Sequence, residues 1–134
     1  IYVGGTGKTP LSITIAKELI KLNKKPAIIK KFYTEHEDEH NLIKDKVKCL
    51  YLNRKRSNAI KEAQNNNCNV AILDDGFQDY TIKKDLSIIC FNQNQLVGNG
   101  LVLPSGPLRD SLNSLKKAQI YLLALLNQSL WIVI

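Results

Sequence analysis

The chain has 134 residues, of which 44% are hydrophobic and 23% charged. That is one domain or part of one, with enough apolar mass for a core, and it excludes a disordered chain. The formal net charge of +7 suits an anionic partner such as polyphosphate, nucleic acid or an anionic membrane face. Lysine far outnumbers arginine and asparagine is abundant, a bias that A/T-rich coding DNA also produces, so charge alone selects no partner.

The predicted elements alternate between strand and helix. Residues 1–3 read as a strand stub. A glycine-rich turn follows, Gly4, Gly5, Thr6, Gly7, Lys8 and Thr9, and then Pro10. Leu11, Ile13, Ile15, Ala16, Leu19, Ile20 and Leu22 then recur at the spacing of one helix face. A strand, a glycine turn and a helix in that order form a loop that wraps phosphates. Glycines let backbone N–H groups turn inward, and the helix start adds its positive end. Lys8 would reach the β- and γ-phosphates, and the Thr9 hydroxyl would ligate Mg²⁺. The pattern is incomplete, because Tyr2 stands where a further glycine is usual. The competing reading is a flexible turn with a surface lysine.

Further along, residues 26–29 read as a strand and 35–46 as a charged short helix with loops. Residues 47–52 form the next predicted strand and 57–64 the next helix, closed by a polar turn at 65–69. Residues 70–73 are a buried strand ending at Asp74, Asp75 and Gly76. Residues 86–91 are another strand, 92–107 a loop rich in Gly, Asn and Pro, 110–117 a helix and 119–126 a strand. Apolar strands separated by helices predict an α/β fold of the P-loop NTPase type: a mostly parallel sheet with helices on both faces. In such a sheet ligands gather at the carboxyl ends of the strands. Asp74 and Asp75 emerge at that rim, where a cation relieves their mutual repulsion. The competing reading is a plain Asp-Gly turn.

Cys49, Cys68 and Cys90 lie in or beside apolar runs without a Cys-x-x-Cys pair, which favours buried reduced thiols and a cytosolic setting. His36 and His40 are spaced as a metal pair but have no third ligand at convincing spacing. No aromatic and basic cluster for single-stranded nucleic acid is present, so no nucleic-acid partner is expected. The chain has no methionine, opens within a strand and closes in an uncharged apolar run at 120–134. That run is shorter than the ~20 residues of a membrane helix. A fragment of a longer protein is expected.

The segments GGTGKTP at 4–10, LDDGFQ at 73–78 and GNGLVLPSGPLRD at 98–110 occur in this order. Together they resemble the tetraacyldisaccharide 4′-kinases, the lipid A 4′-kinases of Gram-negative bacteria. The third segment is the specific one, and the likeness runs to about Tyr121. The resemblance implies a P-loop lobe over residues 1–134, without the family's N-terminal membrane helix and C-terminal lobe. It implies phosphorylation of the 4′-hydroxyl of a tetraacylated glucosamine disaccharide 1-phosphate by ATP and Mg²⁺. The partners implied are the lipid A disaccharide precursor and the cytoplasmic face of the inner membrane, with no obligate protein partner and the fragment itself soluble or peripheral.

Among the matched residues, the resemblance implies that Gly4, Gly5, Thr6, Gly7, Lys8 and Thr9 bind ATP. Thr9, Asp74 and Asp75 stand on the metal side, and Lys8, Asp75 and Arg109 serve catalysis. Arg109 would neutralise developing phosphate charge, or is a surface arginine at a helix start. Asp79 stands where the family has histidine, and Asp110 where it has glutamate. Asp38 matches the family's candidate base, in Glu37-Asp38-Glu39-His40; the same acids also suit the first turn of a solvated helix. Lys30 and Lys31 replace part of a Ser-Arg-Gly-Tyr-Gly stretch. They hold an anionic group or are plain exposed lysines. Two other functions compete: a non-catalytic or degraded nucleotide-binding module, and a P-loop switch ATPase. The segment at 98–110 argues against the switch.

Overall fold

The computed structural model describes residues 7–32, 47–92, 96–124 and 130–133. The chain divides into two units, Thr9–Gln78 and a second made of Ile1–Lys8 with Asp79–Ile134.

In the first unit, α1 (Lys8–Lys21), which enters it at Thr9, leads to β1 (Pro26–Lys31). Next come β2 (Leu50–Asn53), α2 (Arg56–Asn65) and β3 (Val70–Leu73). The strands form a parallel sheet in the order β2-β1-β3. β1 is central, and its residues alternate between faces with the period of two that a strand imposes. Ile28 faces Ile13 and Ala16 of α1, together with Val47; Leu50 and Ile72 pack against the same cluster. Ala27 and Ile29 face Ala59 and Ala63 of α2, with Tyr51 and Leu73 beside them. Helices therefore cover both faces of this sheet, as the continuous apolar strand pattern predicts.

Pro10 is tolerated because it lies in the first turn of α1, where its missing N–H has no intrahelical partner to lose. Both helices end on asparagine. Asn23 has φ 57° and Asn67 φ 59°. Lys24 N–H donates to the Leu19 carbonyl at 2.9 Å, and Cys68 N–H to the Ala63 carbonyl at 3.0 Å. These are Schellman caps, with Asn in the left-handed position usually held by Gly. Asn69 then joins the strand starts: its side-chain oxygen accepts from Lys25 N–H at 2.9 Å, and its own N–H donates to the Lys25 carbonyl at 2.9 Å.

The second unit has β4 (Ile88–Asn92), a 3₁₀ helix at Leu112–Lys117, β5 (Ile120–Ala124) and β6 (Leu130–Val133). β4 pairs parallel with β5, and β6 pairs antiparallel with β5. Two features differ from the sequence expectation. The helix expected at 110–117 is a 3₁₀ segment, because Ser114 bonds back to the Ser111 carbonyl through both its N–H at 3.0 Å and its hydroxyl at 2.7 Å. The final apolar run is two strands; polar Asn127, Gln128 and Ser129 separate its halves in sequence. The strand expected at 1–3 and the helix expected at 35–46 lie outside the described residues. No helix among the described residues is long and apolar enough to cross a membrane.

Ile28 is fully buried at the centre of the α1 face. Replacing it with Ala is expected to cost about 2–5 kcal/mol, read as a lower urea midpoint with an unchanged slope.

Candidate functional site

All three strands of the first sheet run the same way, so their carboxyl ends share one rim. Asp74 follows β3 and extends its ladder, its N–H donating to the Ile29 carbonyl at 3.0 Å. Its side chain falls on the α1 face, in step with Ile72. Lys30 falls on that same face of β1, in step with Ile28. The two are cross-strand neighbours, with Lys30 Nζ 3.2 Å from Asp74 Oδ2.

Asp74 is 1% exposed. A carboxylate so far from water needs partners for both oxygens. Oδ2 accepts from the Thr9 hydroxyl at 3.0 Å as well as facing Lys30, and Oδ1 accepts from the Ser12 hydroxyl at 3.3 Å. Thr9 and Ser12 are one turn apart on α1, so one carboxylate grips two successive positions of that helix. The N-terminal end of α1 is thereby fixed at the carboxyl rim of the sheet. Orphan N–H groups and the positive end of a helix dipole stand there, an arrangement suited to an anion.

Asp75 is exposed and has φ 55°, which turns the chain away from the sheet. Gly76 follows, and a Cβ there would collide with the Leu73 side chain. Arg56, the first residue of α2, holds this turn through Nη2, which donates to the Asp75 carbonyl at 2.9 Å and lies 3.4 Å from that of Asp74. At the other end, Gly7 has φ 76° just before α1 begins at Lys8. A residue with a Cβ rarely adopts that conformation, so the glycine allows the entry into the helix.

A model of the tetraacyldisaccharide-1-P 4′-kinase family matches residues 1–130. The chain belongs to this family. Its relatives include a tetraacyldisaccharide 4′-kinase of Pelagibacter ubique, 53% identical over 87% of this chain and 37% of the relative. Proteins of the same name from Methylobacillus flagellatus and Ruthia magnifica are 33% and 32% identical, over 82% and 87% of this chain and 38% and 43% of their own lengths. The chain thus spans about two fifths of these curated relatives. No solved structure matches it.

The residues expected to bind phosphate and metal divide as follows. Thr9 and Asp74 meet, 65 residues apart in sequence. Lys8 opens α1 and Gly7 precedes it. Asp75 adjoins Asp74 but faces solvent. Gly4, Gly5, Thr6 and Asp38 lie outside the described residues. Among the described residues, no group of three or more His, Cys, Asp or Glu is arranged to hold a metal. Sequence reasoning missed Ser12 and Arg56 as parts of the site, and Lys30, expected to hold an anionic group or stand exposed, is buried against Asp74. The signal for Lys30 was its place in a buried strand, two residues beyond Ile28. Of the three cysteines expected to be buried, Cys90 is buried and Cys49 and Cys68 are half-buried; burial pushes the Cys49 thiol up from its ordinary value.

Arg109 and Asp110 belong to the second unit, at the end of the family's specific loop. That loop is stitched to itself. Asn99 Nδ2 donates to the Ser105 carbonyl at 2.9 Å, and Asn99 Oδ1 accepts from Leu101 N–H at 3.1 Å. Leu103 N–H reaches the Leu108 carbonyl at 2.8 Å, Leu108 N–H the Leu101 carbonyl at 3.2 Å, and the Leu108 side chain is fully buried. A Cβ at Gly106 would strike both Asn99 Oδ1 and the Leu101 carbonyl. Much of the motif's glycine and asparagine content therefore builds the loop. Asp110 Oδ2 accepts from the Tyr80 hydroxyl at 3.0 Å, and Lys117 Nζ lies 4.3 Å from the Tyr80 ring centroid.

Gly106→Ala is expected to lower stability by about 1–3 kcal/mol, measured by urea unfolding. Ser105→Ala, which keeps the accepting carbonyl, is expected to stay within about 0.5 kcal/mol of the parent.

Proposed function

We propose that this chain is the nucleotide-binding lobe of an ATP-dependent kinase that phosphorylates the 4′-hydroxyl of the tetraacylated glucosamine disaccharide 1-phosphate of lipid A biosynthesis. Its place of work would be the cytoplasmic face of the bacterial inner membrane, where that acylated acceptor resides. Family membership supports the reaction class. The observation that carries the site is the hydrogen bond from Thr9 to Asp74, which joins the glycine-rich turn to the acidic motif.

In this reading the backbone of residues 4–7 and the N-terminal end of α1 cradle the phosphates of ATP. Lys8 extends toward the β- and γ-phosphates and offsets their charge. The oxygens of Thr9, Asp74 and Asp75 are all hard and suit Mg²⁺, held directly or through water. The Thr9 hydroxyl donates a hydrogen bond to Asp74, which leaves its oxygen lone pairs available for a metal. Mg²⁺, when bound, neutralises charge on the β- and γ-phosphate oxygens. Asp38 orients the 4′-hydroxyl or accepts its proton as the oxygen attacks the γ-phosphorus, whose bond to the β,γ-bridging oxygen breaks to release ADP. Arg109 stabilises charge on the transferred group with its planar fork of donors.

Lys8→Ala is expected to abolish Mg-ATP binding by calorimetry, while circular dichroism stays that of the parent; unchanged affinity refutes the role. In a full-length enzyme, Asp38→Ala is expected to lower turnover by about 10²-fold or more with ATP affinity kept. Parental turnover removes Asp38 from the mechanism. Nucleotide binding by the parent without phosphorylation of the disaccharide identifies a nucleotide-binding module instead.

A further inference from the structure

We infer that Lys30 is a resident counter-cation for Asp74, so that Asp74 positions the Thr9 hydroxyl and is not itself a direct metal ligand in this protein. The argument begins with burial. Asp74 is 1% and Lys30 8% exposed, so neither group has bulk water to solvate its charge. Two such charges are tolerated when they are paired and their remaining sites are hydrogen-bonded. The pair is made, and both oxygens of Asp74 are engaged. Lys30 Nζ lies 3.2 Å from Oδ2, Thr9 donates to that same oxygen, and Ser12 donates to Oδ1.

The pairing has a consequence for cations. A divalent ion entering the inner sphere of Asp74 would have to displace Lys30 or Thr9 from Oδ2, or Ser12 from Oδ1. Displacing Lys30 would leave two like charges close together in a dry site. Displacing Thr9 or Ser12 would release the first turn of α1 from the sheet. Asp75, the adjacent acid, is exposed and has no such obstacle of burial. Lys30 therefore acts as a positioning residue: it neutralises Asp74 from the β1 side and leaves that carboxylate to hold the half-buried Thr9 hydroxyl. The metal part of this inference rests on the nucleotide reading above. The pairing itself does not.

The test uses the full chain without nucleotide. Lys30→Met removes the charge and keeps the stem; Lys30→Met combined with Asp74→Asn removes both charges. Two readouts are taken: thermal unfolding, and Mn²⁺ binding by water-proton relaxation. Lys30→Met is expected to melt roughly 10 °C lower than the double variant. It is also expected to bind Mn²⁺ about tenfold or more tightly than the parent, because the unpaired Asp74 charge now recruits a cation. The double variant is expected to lose that gain. A double variant no more stable than Lys30→Met overturns the inference, whether or not the single variant is folded well enough for Mn²⁺ titration. Equal Mn²⁺ affinity in the parent and in a folded Lys30→Met also overturns it. Neither readout involves ATP, so a parent that fails to bind ATP sinks the nucleotide reading and leaves this result standing.

Discussion

The first unit is organised around one buried carboxylate. Asp74 draws a hydroxyl from each of two positions on α1 and a cation from β1, while its own backbone continues the ladder from β3. A charge this far from solvent is destabilising alone, and removing any one partner leaves the others to meet the same demand. The geometry is consequently narrow. α1 must present Thr9 and Ser12, one turn apart, to the sheet rim. β1 must run far enough for Lys30 to come level with Asp74. The helix start is pinned at the rim with the positive end of its dipole, an arrangement suited to an anion.

Packing supports that arrangement from below. Ile28 and Ile72 on the α1 face lie one alternation before Lys30 and Asp74, so each strand passes from apolar core to ionic site within two residues. On the opposite face, Ala59 and Ala63 let α2 approach Ala27 and Ile29 closely. α2 contributes more than cover. Its first residue, Arg56, reaches the carbonyls of the turn that follows β3, so the helix and the acidic turn are tied at their ends.

Much of this was legible in the sequence, because periodicity and glycine placement are local signals. The α1 pattern, the strand at Val70–Leu73 and the convergence of Thr9 with Asp74 all follow from motif and spacing. Ser12 and Arg56 were not legible as site residues, nor Lys30 as the partner of Asp74, since their roles depend on strand register and helix approach across tens of residues. A lysine reads as solvent-facing until the strand holding it is known to be central and its neighbour acidic. The asparagines were also misjudged as compositional bias: Asn23 and Asn67 are left-handed caps, and Asn99 is a bridge across its own loop. The twin acids read as a pair in sequence. In the fold they separate, one buried and one exposed, because the chain turns through a positive φ at Asp75. The family's specific loop carried its signal in residues that shape its backbone, and it delivers Arg109 and Asp110 at its close.

The most direct test is a crystal structure with Mg²⁺ and a non-hydrolysable ATP analogue. The account predicts the terminal phosphates against the backbone amides at the start of α1, the metal on Thr9 Oγ1, and Asp74 still held by Lys30. Phosphates bound away from that helix end, with no metal on Thr9, would contradict it.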